Sequence, residues 1–318
     1  MIRDRRKGGT SVRELARLRS CRNAHIHFDE KQPTMLRVLR VLLLTYLICG
    51  GIMYLRQQSI LFPAASNDLY QFRSTLPKGS QLIEMRSSFG KVRAVYWPAS
   101  KLISRAPAII YMHGNFETVE NSFDMIQPLV DAGIAVLQLE YPGFDGADGE
   151  PTYAALSESS VAAYDWLAGQ SNIDSQRIVA MGYSIGGGVA GELTHLRSVR
   201  ALILLSTFTS LEEMAHRHLL PGFLLQFPYD NLARVGEFAG PMFVAHGTDD
   251  NVIPFAMGKR LAAAAKHNNF IVLDCRHNDC DFGDALFTER IPEWLVRQGL
   301  LNRAPVATEG GSHESLGR

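Results

Sequence analysis

The stretch Arg177-Ile-Val-Ala-Met-Gly-Tyr-Ser-Ile-Gly-Gly-Gly-Val-Ala-Gly191 decides how the rest of the chain is read. Its first half is a β-type apolar run, and its second half, rich in small residues, opens a helix. Between them lies Gly182-Tyr183-Ser184-Ile185-Gly186, a G-x-S-x-G pattern. A strand that turns sharply into a helix strains the backbone at the serine. Glycines two residues to either side permit the close approach that lifts its Oγ above a sheet. The serine also meets the positive end of the helix dipole, which favours developing negative charge. The pentapeptide alone is a weak signal. Its strand-turn-helix setting makes Ser184 the candidate nucleophile, with Gly182 and Gly186 shaping the elbow.

Working outward, β-type runs occur at Gln81–Arg86, Val92–Trp97, Ala108–Met112, Ile134–Leu139, Arg177–Tyr183, Ala201–Ser206, Met242–His246 and Phe270–Asp274. From the third onward the gaps are helical in pattern: Glu117–Asp131, Tyr153–Gly169, Ile185–His195, Pro254–His267 and Leu286–Gln298. An antiparallel start followed by alternating strand and helix predicts an α/β fold, a mostly parallel eight-stranded sheet with helices on both faces. Residues 207–240 break the rhythm. Their amphipathic pieces, interrupted by Pro221 and Pro228, read as a small helical lid exposing Leu219, Leu220, Phe223, Leu224, Leu225 and Phe227. A core helix with a loop is the competing reading.

A serine hydroxyl is a weak nucleophile until a base takes its proton. His277, in Cys275-Arg-His-Asn-Asp279 after the last β-type run, is placed for that role. His25, His27, His195, His216, His218 and His313 lie in tails, at a helix end or in the lid. A carboxylate must hold the imidazole in the right tautomer, and the turn after Met242–His246 offers Asp249 and Asp250. Asn115, after the third strand in His113-Gly-Asn115, and Ile185, after the nucleophile, are the expected backbone donors to an oxyanion. His113 is expected to be structural.

The chain has 318 residues, 46% of them apolar, enough for one large core, and its net charge of zero gives no reason to expect nucleic acid. The charge is uneven: before Val41 eleven basic residues face four acidic ones, a net +7. An uncharged run, Val41–Leu55, follows. With Met35, Leu36, Val38 and Leu39 it predicts a transmembrane signal anchor over residues 35–56, Arg37 and Arg40 snorkelling to headgroups. A cleaved signal peptide fits worse, because Pro63-Ala-Ala65 lies beyond Arg56. The basic excess keeps a disordered tail, residues 1–34, in the cytoplasm and sends the hydrolytic domain, residues 57–303, across the bilayer; residues 304–318 read as a disordered tail. Four cysteines without zinc-ligand spacing imply no metal. Cys275 and Cys280 are expected as free thiols, although in an oxidising compartment they could pair and stiffen the loop around His277.

Several motifs in order now support a resemblance. Leu55–Pro63, His113-Gly-Asn115, Glu140-Tyr-Pro-Gly-Phe144, Ser206–Leu211, Tyr229-Asp-Asn-Leu232, His246-Gly-Thr-Asp-Asp250 with Ile253-Pro254, and His277-Asn-Asp279 are similar to those of membrane-anchored α/β-hydrolase-domain serine hydrolases, a group that includes depalmitoylases and lysophospholipid or monoacylglycerol lipases. The resemblance runs from about Tyr54 to Leu300. It implies an α/β-hydrolase fold, selects Asp250 over Asp249 as the acid, and departs at Cys275 and Arg276, where such sequences carry small glycines. The function it implies is hydrolysis of esters or thioesters of hydrophobic acyl chains, at the membrane lipid bilayer and without a cofactor. A serine peptidase on the same fold and a non-catalytic membrane scaffold are the rival readings.

Overall fold

The computed structural model describes residues 34–63, 75–100, 105–280 and 285–302. The tails expected at 1–34 and 304–318 lie, but for Thr34, outside the described residues. The chain divides into two compact units, residues 1–51 and 52–318. One helix, α1 (Thr34–Leu61), runs across that boundary. It is longer than the expected 35–56, and with a mean hydropathy of 2.0 over its most apolar window it is long and apolar enough to cross a membrane.

All eight expected strands are present: β1 (Gln81–Ser87), β2 (Gly90–Trp97), β3 (Ala106–Met112), β4 (Ala135–Leu139), β5 (Ile173–Tyr183), β6 (Ala201–Leu205), β7 (Met242–Gly247) and β8 (Asn268–Leu273). They form one sheet of order β1-β2-β4-β3-β5-β6-β7-β8. β2 pairs antiparallel with β1 and β4, and from β4 across to β8 every pair is parallel. The interior strands are apolar without alternation because both faces are covered: every residue of β3, β4 and β6 is buried. Ile110, Leu137 and Leu202 lie in one core layer, and Ile109, Val136 and Ile203, one position away, in the other.

The helices are α2 (Phe123–Ala132), α3 (Tyr153–Ala168), α4 (Ile185–Leu196), α5 (Leu211–Arg217), α6 (Asn231–Glu237), α7 (Phe255–Ala264) and α8 (Ile291–Arg297). Two expected helices begin irregularly, with a 3₁₀ turn at Val119–Ser122 before α2 and a π turn at Leu286–Arg290 before α8. The chain leaves β3 toward β4 on one side and enters β5 on the other, so the sheet's topological switch point falls between β3 and β5. Open α/β sheets bind ligands outside the carboxyl ends of the strands at such a point. Both His113-Gly-Asn115 and the Ser184 elbow emerge there.

The segment 207–240 does form helical pieces. Ser210 caps α5 by accepting from the Glu213 amide (3.1 Å), and Asp230 caps α6 by accepting from the Ala233 amide (3.0 Å). Not all its apolar residues are exposed, however. Leu219 and Phe223 are 80% and 85% exposed, but Leu220, Leu224 and Leu225 are half-buried and Phe227 is buried. Phe227 packs on Phe62, ring centroids 5.4 Å apart, and Phe62 meets Tyr141 and Phe144 edge-on. An apolar residue between two prolines carries no sign of the partner that will cover it. The segment is further tied to the last turns of α1: Gln57 Nε2 donates to the Leu224 carbonyl (2.5 Å), the Gln226 amide to Gln57 Oε1 (2.9 Å), and Gln226 Nε2 to the Tyr54 carbonyl (2.9 Å).

Candidate active site

The elbow takes the strained form its glycines predict. Ser184 sits at φ 54°, ψ −119°, a left-handed conformation that L residues adopt only when their surroundings enforce it. Its amide donates to the Leu205 carbonyl (2.9 Å), and its carbonyl accepts from Thr207 Oγ1 (2.7 Å). A Cβ on Gly182 would come within 2.2 Å of the Gly186 carbonyl oxygen, and one on Gly186 within 2.1 Å of the Met112 carbonyl oxygen. Neither neighbour is a side chain that can swing aside, so both positions require glycine. Ile185 follows as the first residue of α4.

His277 arrives from the far end of the domain. Its Nε2 lies 2.9 Å from Ser184 Oγ and its Nδ1 2.7 Å from Asp250 Oδ2. Ser184 and His277 are both buried, 7% and 5% exposed, so the contact is shielded from bulk water. Asp250 rather than Asp249 makes this contact: the Asp249 side chain is exposed, while its amide donates to the Cys275 carbonyl (3.2 Å). Asp250 Oδ1 accepts from the amides of Val252 (2.9 Å) and Ile253 (2.7 Å). Burial works to raise the Asp250 pKa. Hydrogen bonds from His246, His277 and the Ile253 amide outweigh it, holding the carboxyl well below the usual carboxylate range.

Three supports escaped the sequence reading, and a fourth stood there only as the alternative. His246 is fully buried, with Nε2 2.9 Å from the Ile253 carbonyl oxygen and 3.4 Å from Asp250 Oδ2, so a proton on that nitrogen serves the turn and the acid together. Tyr183, the variable residue before the serine, donates from its hydroxyl to the His277 carbonyl (2.7 Å) and stacks on the His277 ring. Burial, then the Glu117 and Asp250 charges, push its pKa up, so it remains a neutral donor. Glu140 and Tyr141 brace the loop after β3: His113 Nε2 donates to Glu140 Oε1 (3.0 Å), and Tyr141 donates from its hydroxyl to the His113 carbonyl (2.6 Å). Burial alone would lower the His113 pKa, but the Glu140 charge and hydrogen bond, with the Gly114 carbonyl, raise it overall. His113 is thus braced at both ring nitrogens, by the Gly114 carbonyl (2.7 Å) and by Glu140, and supports the loop. The Gly114 amide donates to Glu117 (2.9 Å), and Asn115 follows it half-buried.

The fourth support corrects an expectation. Cys275 and Cys280 are joined in a disulfide instead of standing as free thiols, their Cα atoms 4.9 Å apart. Five residues of sequence separation leave this distance open, and the turn around Asn278 closes it; Cys49 is free. Among the described residues no cluster of His, Cys, Asp or Glu could hold a metal ion.

Residues 107–237 match the alpha/beta hydrolase fold family. The chain has the α/β-hydrolase fold. An uncharacterised protein of Mycobacterium tuberculosis is 29% identical over 276 residues, 84% of this chain and 98% of that protein. The lysophosphatidylserine lipase ABHD12 of Danio rerio is 29% identical over 201 residues, 54% of this chain and 52% of that protein; the chain spans about half the length of that relative. Among solved structures, the esterase Est1E of Butyrivibrio proteoclasticus aligns with a TM-score of 0.60 at 19% identity, over 68% of this chain and 98% of that one. Beyond the matched residues the same sheet continues into β7 and β8, and the turns after them carry Asp250 and His277. With an elbow serine hydrogen-bonded to a histidine and, through it, to a carboxylate, the chain holds the catalytic groups of a serine hydrolase.

Proposed function

We propose that this α/β-hydrolase is anchored in a membrane by α1 and cleaves carboxylic esters or thioesters of hydrophobic acyl chains through an acyl-serine intermediate. The observation that carries the reaction is the unbroken relay from Ser184 Oγ through His277 to Asp250. In this reading Ser184 attacks the acyl carbonyl as His277 Nε2 accepts its proton, and Asp250 stabilises the imidazolium that forms. The amides of Ile185 and Asn115 receive the oxyanion. His277 returns the proton to the leaving alcohol or thiol, then activates water to release the acid.

The substrate class rests on three supports. α1 is apolar over a membrane-spanning length, and the lid exposes Leu219 and Phe223. The Danio rerio relative is named as a lipase of lysophosphatidylserine, a single-chain lipid ester. Orientation follows from the basic excess before Val41, which keeps the N-terminus cytoplasmic, and a Cys275–Cys280 disulfide persists in an oxidising compartment on the far side. The reading gives no role to nucleic acid or a cofactor.

The test is hydrolysis by the full chain in mixed micelles, across acyl esters and thioesters of increasing chain length. Rising kcat/KM with chain length supports the proposal. A preference for short water-soluble acyl groups, or for peptide amides, contradicts it.

A further inference from the structure

The disulfide lies where the reaction is most sensitive to geometry. Cys275 and Cys280 close a ring of six residues whose third member is His277. The ring is docked on the acid turn: the Cys275 carbonyl accepts from the Asp249 amide (3.2 Å), and a Cβ on Gly247 would lie 2.4 Å from that oxygen and 2.9 Å from Cys275 Sγ. Within it, Asp279 Oδ1 accepts from the Arg276 amide (2.6 Å), and Tyr183 holds the His277 carbonyl from below. These hydrogen bonds fix one side of the turn. Cys280 is half-buried against the core layer that holds Tyr183, and its covalent link to Cys275 closes the other side. Catalytic groups must stay within a few tenths of an ångström of productive positions, and a misplacement of about 1 Å costs on the order of 100-fold in rate.

We propose that the Cys275–Cys280 disulfide is a positioning element for His277, so that the hydrolase turns over at full rate only with this bond closed. The proposal rests on His277 acting as the base. Opening requires an external dithiol. One of its thiolates attacks a cysteine sulfur to form a mixed disulfide, and its second thiol displaces the protein. The protein gains two electrons and two protons as two thiols, and the reductant leaves as a cyclic disulfide.

The experiment uses the folded full chain in detergent, before and after dithiothreitol, with new thiols at 275 and 280 located by alkylation and mass spectrometry. The expected result is a fall in kcat of roughly 10- to 100-fold with KM little changed, and an equal slowing of fluorophosphonate labelling at Ser184. Circular dichroism stays unaltered, and oxidised glutathione restores activity. The Cys280→Ser variant reproduces the reduced state and is insensitive to dithiothreitol, whereas Cys49→Ser responds as the parent does. Full kcat in protein with both thiols alkylated overturns the proposal, as does finding both thiols free in the active, air-exposed enzyme. Loss of activity that follows global unfolding also overturns it, by reducing the bond to a stabiliser of the fold. If Ser184→Ala retains activity, the triad reading fails; if it is inactive while reduction is harmless, only the clamp fails.

Discussion

Asp250→Asn exchanges one oxygen for nitrogen, and the surroundings dictate which. Asp250 Oδ1 accepts from two backbone amides, Val252 and Ile253, at 2.9 and 2.7 Å. An asparagine amide nitrogen placed there would meet two donors, so its carbonyl must take that side. The NH₂ then faces His277 Nδ1, 2.7 Å away, and donates to it. His277 is driven to the tautomer with its proton on Nε2, the nitrogen that must accept from Ser184. The same change in a serine protease triad lowers kcat by about 10⁴-fold, about 5.4 kcal/mol of transition-state stabilisation. Here His246, 3.4 Å from Oδ2, also loses the second of its two acceptors while keeping the Ile253 carbonyl, so the loss should be no smaller. The assay is steady-state hydrolysis of a chromogenic acyl ester by the purified chain, with Asp249→Asn in parallel. The expected outcome is a loss of about 10⁴ in kcat for Asp250→Asn, little change in KM, and near-parental activity for Asp249→Asn. Retention of a tenth of kcat by Asp250→Asn, or an equal loss in Asp249→Asn, refutes the tautomer mechanism.

Two further perturbations probe the supports. In Gly186→Ala the new methyl meets the Met112 and His113 carbonyl oxygens at 2.1 and 2.6 Å, so the elbow and the loop after β3 must separate. Overpacking of this kind costs about 1–3 kcal/mol or more; thermal denaturation should show a lowered Tm alongside lost acylation, and a parental Tm with full activity contradicts the packing. For His113, a raised folded-state pKa means its ion pair contributes full stability below the unfolded value of about 6.5 and loses it as pH climbs through the folded pKa. Glu140→Gln removes the anion and should cost about 3–5 kcal/mol at pH 6. The Tm difference between the two proteins should narrow as pH rises above about 6.5 and through the folded-state pKa, and a constant difference rules out a buried cation at 113.

The elements legible in the sequence are those set by local pattern. Eight β-type runs became eight strands because interior strands of a doubly covered sheet need continuous apolar residues, and Ser184 stood out because its elbow tolerates only Gly182 and Gly186. What stayed hidden depends on contacts between distant segments. Nothing in the pentapeptide tells that Tyr183 reaches a carbonyl 94 residues on, nor does a Glu-Tyr pair after β4 announce that it braces His113. Phe227 looked like an exposed lid residue because its cover, Phe62, comes from the end of α1. The disulfide was the less expected outcome for the same reason: pairing depends on the path of the turn, and the turn is set by Asp279 and Asp249.

The central claim is that Ser184 carries the acyl group in turnover. Its most direct test is mass spectrometry of the full chain quenched during hydrolysis of a slow acyl ester, with peptide mapping of the adduct. The account predicts one acyl group per molecule, on Ser184, absent from Ser184→Ala and accumulating in His277→Ala only at a trace. An adduct on any other residue, or undiminished turnover by Ser184→Ala, contradicts it.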